Sequence, residues 1–130
     1  MQIEIAKSIP KQTRKIMRAA ILISHAHAPM NATRIMVKPV RPRHACAGFA
    51  SMNGKIATIR IDPTDPDFLD TIYHECYHLH QMSNGDLVQE YGGFTWKNTF
   101  IPTWAYRIFY KFIPFERQAY RYAARMLKTQ

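Results

Sequence analysis

Apolar and polar residues recur along the chain with two periods, and these periods predict its secondary structure. Alternation predicts a first strand in "QIEIAKS" and a second in "TRIMVKPV". The segment "HACAGFASMNGKIATIRID" predicts a hairpin, because Asn53-Gly54 suits a tight turn with positive φ. Helical spacing predicts a helix in "PKQTRKIMRAAILISHAHA", with an apolar face formed by Ile16, Ala19, Ala20 and Ile23.

A second helix is predicted within "DPTDPDFLDTIYHECYHLHQMSNG". Asp65 can cap it, Pro66 suits its first position, and Asn84-Gly85 suits its end. Two neighbouring stripes follow this helix. The core stripe contains Phe68, Ile72, Cys76 and Leu79. The adjacent, polar stripe contains Thr71, His74, Glu75 and His78, and we expect it to face a cleft.

The last third of the chain predicts a hairpin and a final helix. "DLVQEYGGFTWKNTF" reads as two extended segments broken at Gly92-Gly93. The aromatic segment "FIPTWAYRIFYKFIPF", which contains Pro102 and Pro114, can wall a groove or close a small core, and burial of aromatics favours the core. The final helix is predicted from Pro114 to about Lys128.

The order strand, helix, three strands, helix, hairpin, helix indicates an α+β fold, with residues 1–130 forming one domain. We expect the N-terminal helix and a small mixed sheet to pack on the second helix. No apolar run reaches the roughly 18 residues that a membrane span needs. The N-terminal segment lacks the features of a signal peptide, and Cys46 and Cys76 are too few for a disulfide framework. Both points favour the cytoplasm.

The formal net charge is +9, from 18 basic and nine acidic residues. Such a balance favours acidic partners, nucleic acid or an anionic surface, although a solvated basic surface is the commoner explanation. The final helix carries a basic stripe with the same two explanations: Arg117, Arg121, Arg125 and Lys128.

His74, Glu75 and His78 form an H-E-x-x-H pattern on the second predicted helix. Residues at i and i+4 lie one turn apart on the same side, so both imidazoles can bind one metal ion. Glu75 is rotated by about 100° from His74, which places its carboxylate beside the metal, where it can accept a proton from water. Asp70, one turn earlier, can accept the second N–H of His74 or can lie free on the helix surface.

A catalytic zinc ion needs a third protein ligand, and Glu116 is the best candidate. Asp86 and Glu90 are the other acids after Glu75, and each would require the backbone to double back sharply. Glu116 opens the final helix, whose small residues on the same face, Ala119 and Ala123, allow close helix packing. Upstream competitors are His25, His27 and His44, whereas His80 should point away from the metal.

The segments "HECYHLHQ", "NGDL", "FTWKN" and "PFERQAY" together resemble the small zincin-like metallopeptidases of bacteriophages and bacteria, a minimal form of the gluzincin group. The resemblance covers the second half of the chain. It implies His74, His78 and Glu116 as zinc ligands and Glu75 as the general base. The metzincin pattern is excluded, because Gln81 and Asn84 occupy the positions of its glycine and third histidine.

The resemblance implies a zinc-dependent peptidase that hydrolyses peptide bonds through zinc-bound water, in the host cytoplasm if the chain is phage-encoded. Candidate oxyanion donors are Tyr77, Tyr106, Tyr110, Arg117 and Tyr120. An extended substrate could pair with the second strand or with the hairpin arm at residues 45–52. The alternative function is a zinc-stabilised basic module that binds nucleic acid or protein without cleaving it. Glu75 argues against that alternative, because a structural zinc site needs no base.

Overall fold

The computed structural model describes residues 1–40 and 48–129, and this part of the chain has the expected α+β composition. Its helices are α1 (Lys11–His27), α2 (Phe68–Ser83), α3 (Thr103–Phe109) and α4 (Pro114–Lys128). Its strands are β1 (Gln2–Ile5), β2 (Arg34–Pro39), β3 (Gly48–Asn53), β4 (Ile56–Ile61), β5 (Leu87–Glu90), β6 (Gly93–Trp96) and β7 (Thr99–Pro102). Within the described ranges no helix is both long and apolar enough to cross a membrane.

A four-stranded mixed sheet has the order β1-β2-β4-β3. Strands β1, β2 and β4 are parallel, and β3 pairs with β4 in the antiparallel direction. Helix α1 is the crossover that parallel pairing of β1 and β2 requires. The buried residues of β2 and β4 alternate with more exposed ones, so a single face of the sheet packs on the core.

The predicted hairpin is confirmed as β3 and β4, but its turn lies one residue later than the predicted Asn53-Gly54. Asn53 is the last residue of β3 and pairs with Ile56, so the two turn residues are Gly54 and Lys55. Gly54 has φ of 61°, a conformation that glycine adopts without the strain that a Cβ would impose. The turn sets the register that places Gly48 and Ala50 at the cleft described below.

The main core lies between the sheet and helices α1, α2 and α4. Helix α1 is confirmed, but of its predicted apolar face only Ala20 is buried. Ile16 and Ile23 are each 38% exposed, and the buried face is one residue away, at Met17, Ala20, Ile21 and Ser24. Ile16 and Ile23 fit one i, i+3, i+4 pattern, and Ile21 fits a second pattern shifted by one residue. Hydrophobicity alone could not choose between these two patterns.

The second sheet is a three-stranded antiparallel meander, β5-β6-β7. The predicted break at Gly92-Gly93 lies within one residue of the observed turn between β5 and β6, which consists of Tyr91 and Gly92, because Gly93 already pairs with Glu90. Strand β7 was not predicted. The turn between β6 and β7 consists of Lys97 and Asn98, with φ of 46° and 72°. Asparagine accepts this conformation readily and lysine does not, so the turn had no clear sequence signal.

The expectation that the aromatic segment closes a core is confirmed for only part of the segment. It forms β7, α3 and a 3₁₀ turn (Tyr110–Phe112), and no residue of α3 or of that turn is buried. The buried members of the segment, Ile113 and Phe115, pack with Trp96 in a second, smaller core, and Tyr106 packs against this core. The rest of the segment borders the cleft or faces solvent.

Candidate metal centre

Helix α2 carries the H-E-x-x-H residues, as predicted, but it starts later than expected. Asp67 is its N-cap, and Asp65 acts before the helix, where its Oδ1 accepts a hydrogen bond from the Asp67 backbone N–H at 2.8 Å. Pro66 therefore lies in the preceding turn. The predicted end is confirmed, since Asn84 is the C-cap and Gly85 has φ of 85°.

The two predicted stripes of α2 face different surroundings. Ile72, Cys76 and Leu79 are fully buried in the main core, and Phe68 packs against it. The polar stripe, consisting of Thr71, His74, Glu75 and His78, lines a cleft of about 860 Å³. Burial of one stripe fixes the rotation of α2, and this rotation directs the other stripe into the cleft.

Helix α4 brings Glu116 to the histidines. Ala119 and Ala123 are completely buried, and Ala123 packs with Tyr122 and Met126 in the main core. Pro114 opens the helix, so Glu116 lies in its first turn, where a carboxylate is favoured by the helix dipole. Close packing of small residues thereby determines where the Glu116 side chain lies.

Three ligand atoms from α2 and α4 converge. Glu116 Oε1 lies 2.8 Å from His74 Nε2 and 3.0 Å from His78 Nε2, and the two nitrogens are 3.1 Å apart. All three side chains are buried, with exposed fractions of 7% for His74, 5% for His78 and 2% for Glu116. Among the described residues this is the one group of three or more His, Cys, Asp or Glu side chains with metal-binding spacing.

Gln81 orients His78. The Gln81 amide donates to the carbonyl of Phe115 at 3.0 Å and to Gln118 Oε1 at 3.2 Å, so its oxygen faces His78 Nδ1 at 2.8 Å. Because this oxygen only accepts, Nδ1 carries the proton, and in the neutral imidazole the lone pair lies on Nε2. This is the tautomer that ligates a metal through Nε2.

Tyr106 supports Glu116 from the other side. Its hydroxyl donates to Glu116 Oε2 at 2.7 Å, which leaves Oε1 directed at the histidines. Burial, followed by the charge of Glu116, raises the pKa of the Tyr106 phenol far above its ordinary value. The phenol therefore stays protonated and remains a donor at any working pH.

His78 on α2 and Glu116 on α4 form an ion pair. Burial disfavours the charge on His78, but hydrogen bonding to Glu116 and its negative charge outweigh burial and raise the pKa of His78 to about 9. Burial also opposes ionisation of Glu116, yet its hydrogen bonds to His74 and His78 hold the pKa of that carboxyl well below 4.5. Both shifts describe the same interaction.

Glu75 lies beside this group and borders the cleft with 6% of its surface exposed. Burial raises its pKa, and the nearby histidine charges offset part of that effect. No described residue makes a hydrogen bond to its carboxylate, whereas both oxygens of Glu116 are engaged. Glu75 is therefore the carboxylate that is available to exchange a proton with a molecule in the cleft.

The competing ligand candidates lie elsewhere. His25 Nδ1 accepts from the Met30 N–H at 3.1 Å, and His80 donates from Nδ1 to the Pro29 carbonyl at 2.7 Å, so His80 points away as predicted. His27 belongs to the exposed end of α1, and the Glu90 carboxylate accepts from Thr95. Asp86 is held in the turn after α2, and His44 is outside the described residues.

Some of the residues that were predicted to assist the metal ligands border the cleft, and others lie away from it. Asp70 lines the cleft but makes no hydrogen bond to His74 within the described ranges. Among the proposed oxyanion donors, Tyr106, Tyr110 and Tyr120 border the cleft. Tyr77 instead packs on Tyr122, with ring centroids 4.7 Å apart, and Arg117 is exposed on α4. Gln81 and Tyr106 were not predicted to support the ligands.

The donor set fits a zinc ion. Two imidazoles and one carboxylate are the ligands of a known class of catalytic zinc sites, which leaves a fourth position for water or substrate. The three atoms lie slightly closer together than the roughly 3.3 Å between ligands in a tetrahedral site with bonds of about 2.0–2.1 Å. Only small outward shifts are therefore needed to admit the ion.

The cleft beside the ligands is walled by several elements. Gly48 and Ala50 of β3 form one side, and Leu87, Phe94 and Phe115 provide an apolar side. Strand β3 is the edge strand of its sheet, whereas β2 lies between β1 and β4. The suggestion that a peptide could pair with the second strand was therefore wrong. Of the suggested hairpin arm, residues 45–47 lie outside the described part of the chain.

Gly48 has a specific steric role at this edge. A Cβ at this position would lie 2.7 Å from the Arg60 carbonyl oxygen and 2.8 Å from Cγ2 of Thr71 on α2. Glycine therefore permits the start of α2 to lie directly against β3. This contact brings the edge strand close to the polar stripe.

Comparison with known proteins gives no match: no protein-family model, no curated protein and no solved structure matches the chain significantly. The resemblance to small zincin-like metallopeptidases therefore remains a prediction.

Proposed function

We propose that the chain is a zinc-dependent metallopeptidase with a zincin-like fold. The observation that carries the proposal is the convergence of buried His74, His78 and Glu116 beside a cleft that Glu75 also borders. His74, His78 and Glu116 would hold the metal, and Glu75 would be the general base. A cytoplasmic location also remains a prediction.

A zinc ion in this group would supply a Lewis acid and lower the pKa of a water molecule towards 7. Glu75 has the position and the raised pKa suited to accepting a proton from water and returning it to a leaving amine. Gln81 bonds to His78 and Tyr106 bonds to Glu116, which holds the ligand atoms of these two residues in place. Neither Gln81 nor Tyr106 bonds to Glu75, whose carboxylate can therefore bond to water. The separation of roles between two buried carboxylates, one held and one free, favours hydrolysis over a purely structural site.

The edge strand supports a peptide as the substrate class. Gly48 and Ala50 lie in the cleft wall on β3, and an extended peptide can add to such an edge through main-chain hydrogen bonds. Gln89 Nε2 already donates to the Ala50 carbonyl at 2.9 Å, so a side-chain amide now occupies one of these positions. An incoming peptide N–H would replace that contact.

The decisive experiment combines zinc stoichiometry with cleavage of a peptide library. Glu75→Gln should retain one zinc ion and lose about 10²–10⁴-fold in cleavage rate. Glu116→Ala should lose zinc affinity, and Glu90→Gln, at an exposed acid on β5, is the matched control that should change neither property. Absence of zinc from the unmodified protein, or full cleavage by Glu75→Gln, would refute the proposal.

A binding module stabilised by zinc is the second candidate function. It is favoured by four basic residues on α4, which are all exposed: Arg117, Arg121, Arg125 and Lys128. Such a module should bind nucleic acid with a steep dependence on salt and should be indifferent to Glu75→Gln. Peptide cleavage that depends on Glu75 distinguishes the enzyme from this module.

A further inference from the structure

Helix α3 and the 3₁₀ turn after it expose an unusual amount of apolar side chain. Four large residues within nine positions are at least half exposed: Trp104 (63%), Ile108 (67%), Phe109 (51%) and Phe112 (76%). A folded domain normally buries such side chains, and a cluster of them on one segment indicates a contact surface. We call these four residues the α3 surface.

The α3 surface lies on a different side of the helix from the residue that contacts Glu116. Trp104 and Ile108 are four residues apart and share one side of α3. Tyr106 lies two residues from each, and therefore on the opposite side, where it contacts Glu116. The helix thus presents one face to the metal ligands and a different, apolar face to solvent.

The exposed charges that follow Tyr91 in the sequence, where the α3 surface lies, have a single sign. Arg107 and Lys111 are exposed within the same segment. From Tyr91 to the end of the sequence there are seven Lys or Arg residues and one acid, Glu116. Glu116 is 2% exposed and is paired with His74 and His78. This part of the chain therefore offers its partner cations and no exposed carboxylate.

We propose that the α3 surface docks on membranes that contain anionic phospholipids. Exposed tryptophan, phenylalanine and isoleucine with interspersed Lys and Arg are the features of a short segment lying flat at a bilayer interface. The aromatic and aliphatic groups enter the headgroup region, and Arg107 and Lys111 pair with phosphates. Ile108 favours this partner over single-stranded nucleic acid, because base stacking requires a ring.

Two tryptophans with opposite exposure make the test direct. Trp96 is 8% exposed in the second core and Trp104 is 63% exposed, so Trp96→Phe leaves a single reporter on the α3 surface. With vesicles of phosphatidylcholine containing about one-third phosphatidylserine, this variant should sediment with the lipid. Its emission should shift to the blue and become shielded from an aqueous quencher. Vesicles of phosphatidylcholine alone should bind much more weakly.

Matched variants separate the apolar and charged contributions. Trp104→Ser combined with Ile108→Ser should lower vesicle affinity about tenfold or more, and Lys111→Gln about fivefold. Leu22→Ser and Lys15→Gln remove an exposed apolar and an exposed basic side chain from α1 and should leave vesicle binding unchanged. Unchanged circular dichroism and unchanged zinc content would show that the variants are folded.

Several outcomes would overturn this inference. No sedimentation with anionic vesicles would do so, as would equal binding to neutral vesicles. Shielding of Trp104 by a single-stranded oligonucleotide and not by vesicles would assign the α3 surface to nucleic acid. Shielding that depends only on protein concentration would assign it to a second copy of the chain. Vesicle binding needs neither zinc nor Glu75, so it is independent of the proposed peptidase activity.

Discussion

Two neutral side chains determine how the candidate ligands are presented. Gln81 fixes the proton of His78 on Nδ1, and Tyr106 holds Oε2 of Glu116. Groups of this kind orient metal ligands, and their loss commonly lowers metal affinity about 10- to 100-fold. Affinity for zinc should therefore depend on two residues that would not contact the ion.

Tyr106→Phe tests this dependence with a minimal change. The ring should remain in place, because it stacks on Phe115 with an interplanar angle of 9° and also contacts Phe94. The loss of one hydroxyl frees Oε2 of Glu116 to rotate, so zinc affinity should fall about tenfold. Competition with a fluorescent zinc chelator measures the change.

Tyr110→Phe is the control for that experiment, since Tyr110 borders the same cleft but does not donate to Glu116 at hydrogen-bond distance. It should retain the zinc affinity of the unmodified protein. Equal losses in both variants would mean that the phenols act through packing or solvation, and would contradict the role assigned to the Tyr106 hydroxyl.

The sequence predicted the convergence of the three candidate ligands, His74, His78 and Glu116, more fully than it predicted the residues that support them. His74, Glu75 and His78 are recognisable because one helix fixes their relative positions, and Glu116 because few other acids follow them. Tyr106 acquires its role only when α3 is placed against α4, and that placement has no local signal. Gln81 did have a signal, since it lies three residues after His78 on the same helix.

At the scale of elements, the packing of α4 on the main core determines whether Glu116 reaches the histidines. Ala119 and Ala123 have no exposed surface, so α4 has no room for a larger side chain on this face. Ala123→Leu should force α4 outwards and destabilise the metal-free protein by about 1–3 kcal/mol. It should also weaken zinc binding, because Glu116 moves with the helix. Urea unfolding and zinc titration measure the two effects.

Ala124→Leu is a matched control, because the neighbouring Ala124 is exposed on the same helix. It adds the same atoms with the same helix propensity and should change stability by less than about 0.5 kcal/mol. If Ala123→Leu lost stability but kept full zinc affinity, the position of Glu116 would not depend on this packing.

The sequence predicted elements well where a period and an end signal coincide. The hairpin at Gly54 and the end of α2 at Gly85 were found because glycine marks a backbone conformation that other residues avoid. Strand β7 was missed because the turn before it contains Lys97. Helix α3 was missed because an aromatic run can form either a strand or a helix, and either can be buried or exposed. Such choices are made by tertiary contacts rather than by local preference.

At the scale of the whole molecule, the three candidate ligands, His74, His78 and Glu116, join two packed regions. His74 and His78 are on α2, whose buried stripe belongs to the main core, while Phe115, next to Glu116, belongs to the second core. The Gln81 amide makes a further link between these regions through the Phe115 carbonyl. Zinc should therefore act as a cross-link, and its binding free energy should appear as resistance to unfolding.

The free energy of unfolding should depend on pH differently in the metal-free protein and in the zinc-loaded protein. In the metal-free protein the pKa of His78 is raised from 6.5 to about 9, so its stabilising contribution is complete below pH 6.5 and is lost as the pH rises through 9. In the zinc-loaded protein His78 has already released its proton, so His78 contributes no such loss in this range.

The stabilisation by zinc should consequently grow by about 1.4 kcal/mol per pH unit between those limits, the value for one displaced proton. Thermal unfolding with excess zinc and with chelator, at several pH values from 6.5 to 9, measures the difference. His78→Gln should lose most of the zinc stabilisation together with its pH dependence. His80→Gln should preserve both, because His80 is bonded to the Pro29 carbonyl away from the candidate ligands. A zinc effect that is constant with pH would mean that His78 is neutral before the metal binds, and the buried ion pair with Glu116 would then have to be abandoned.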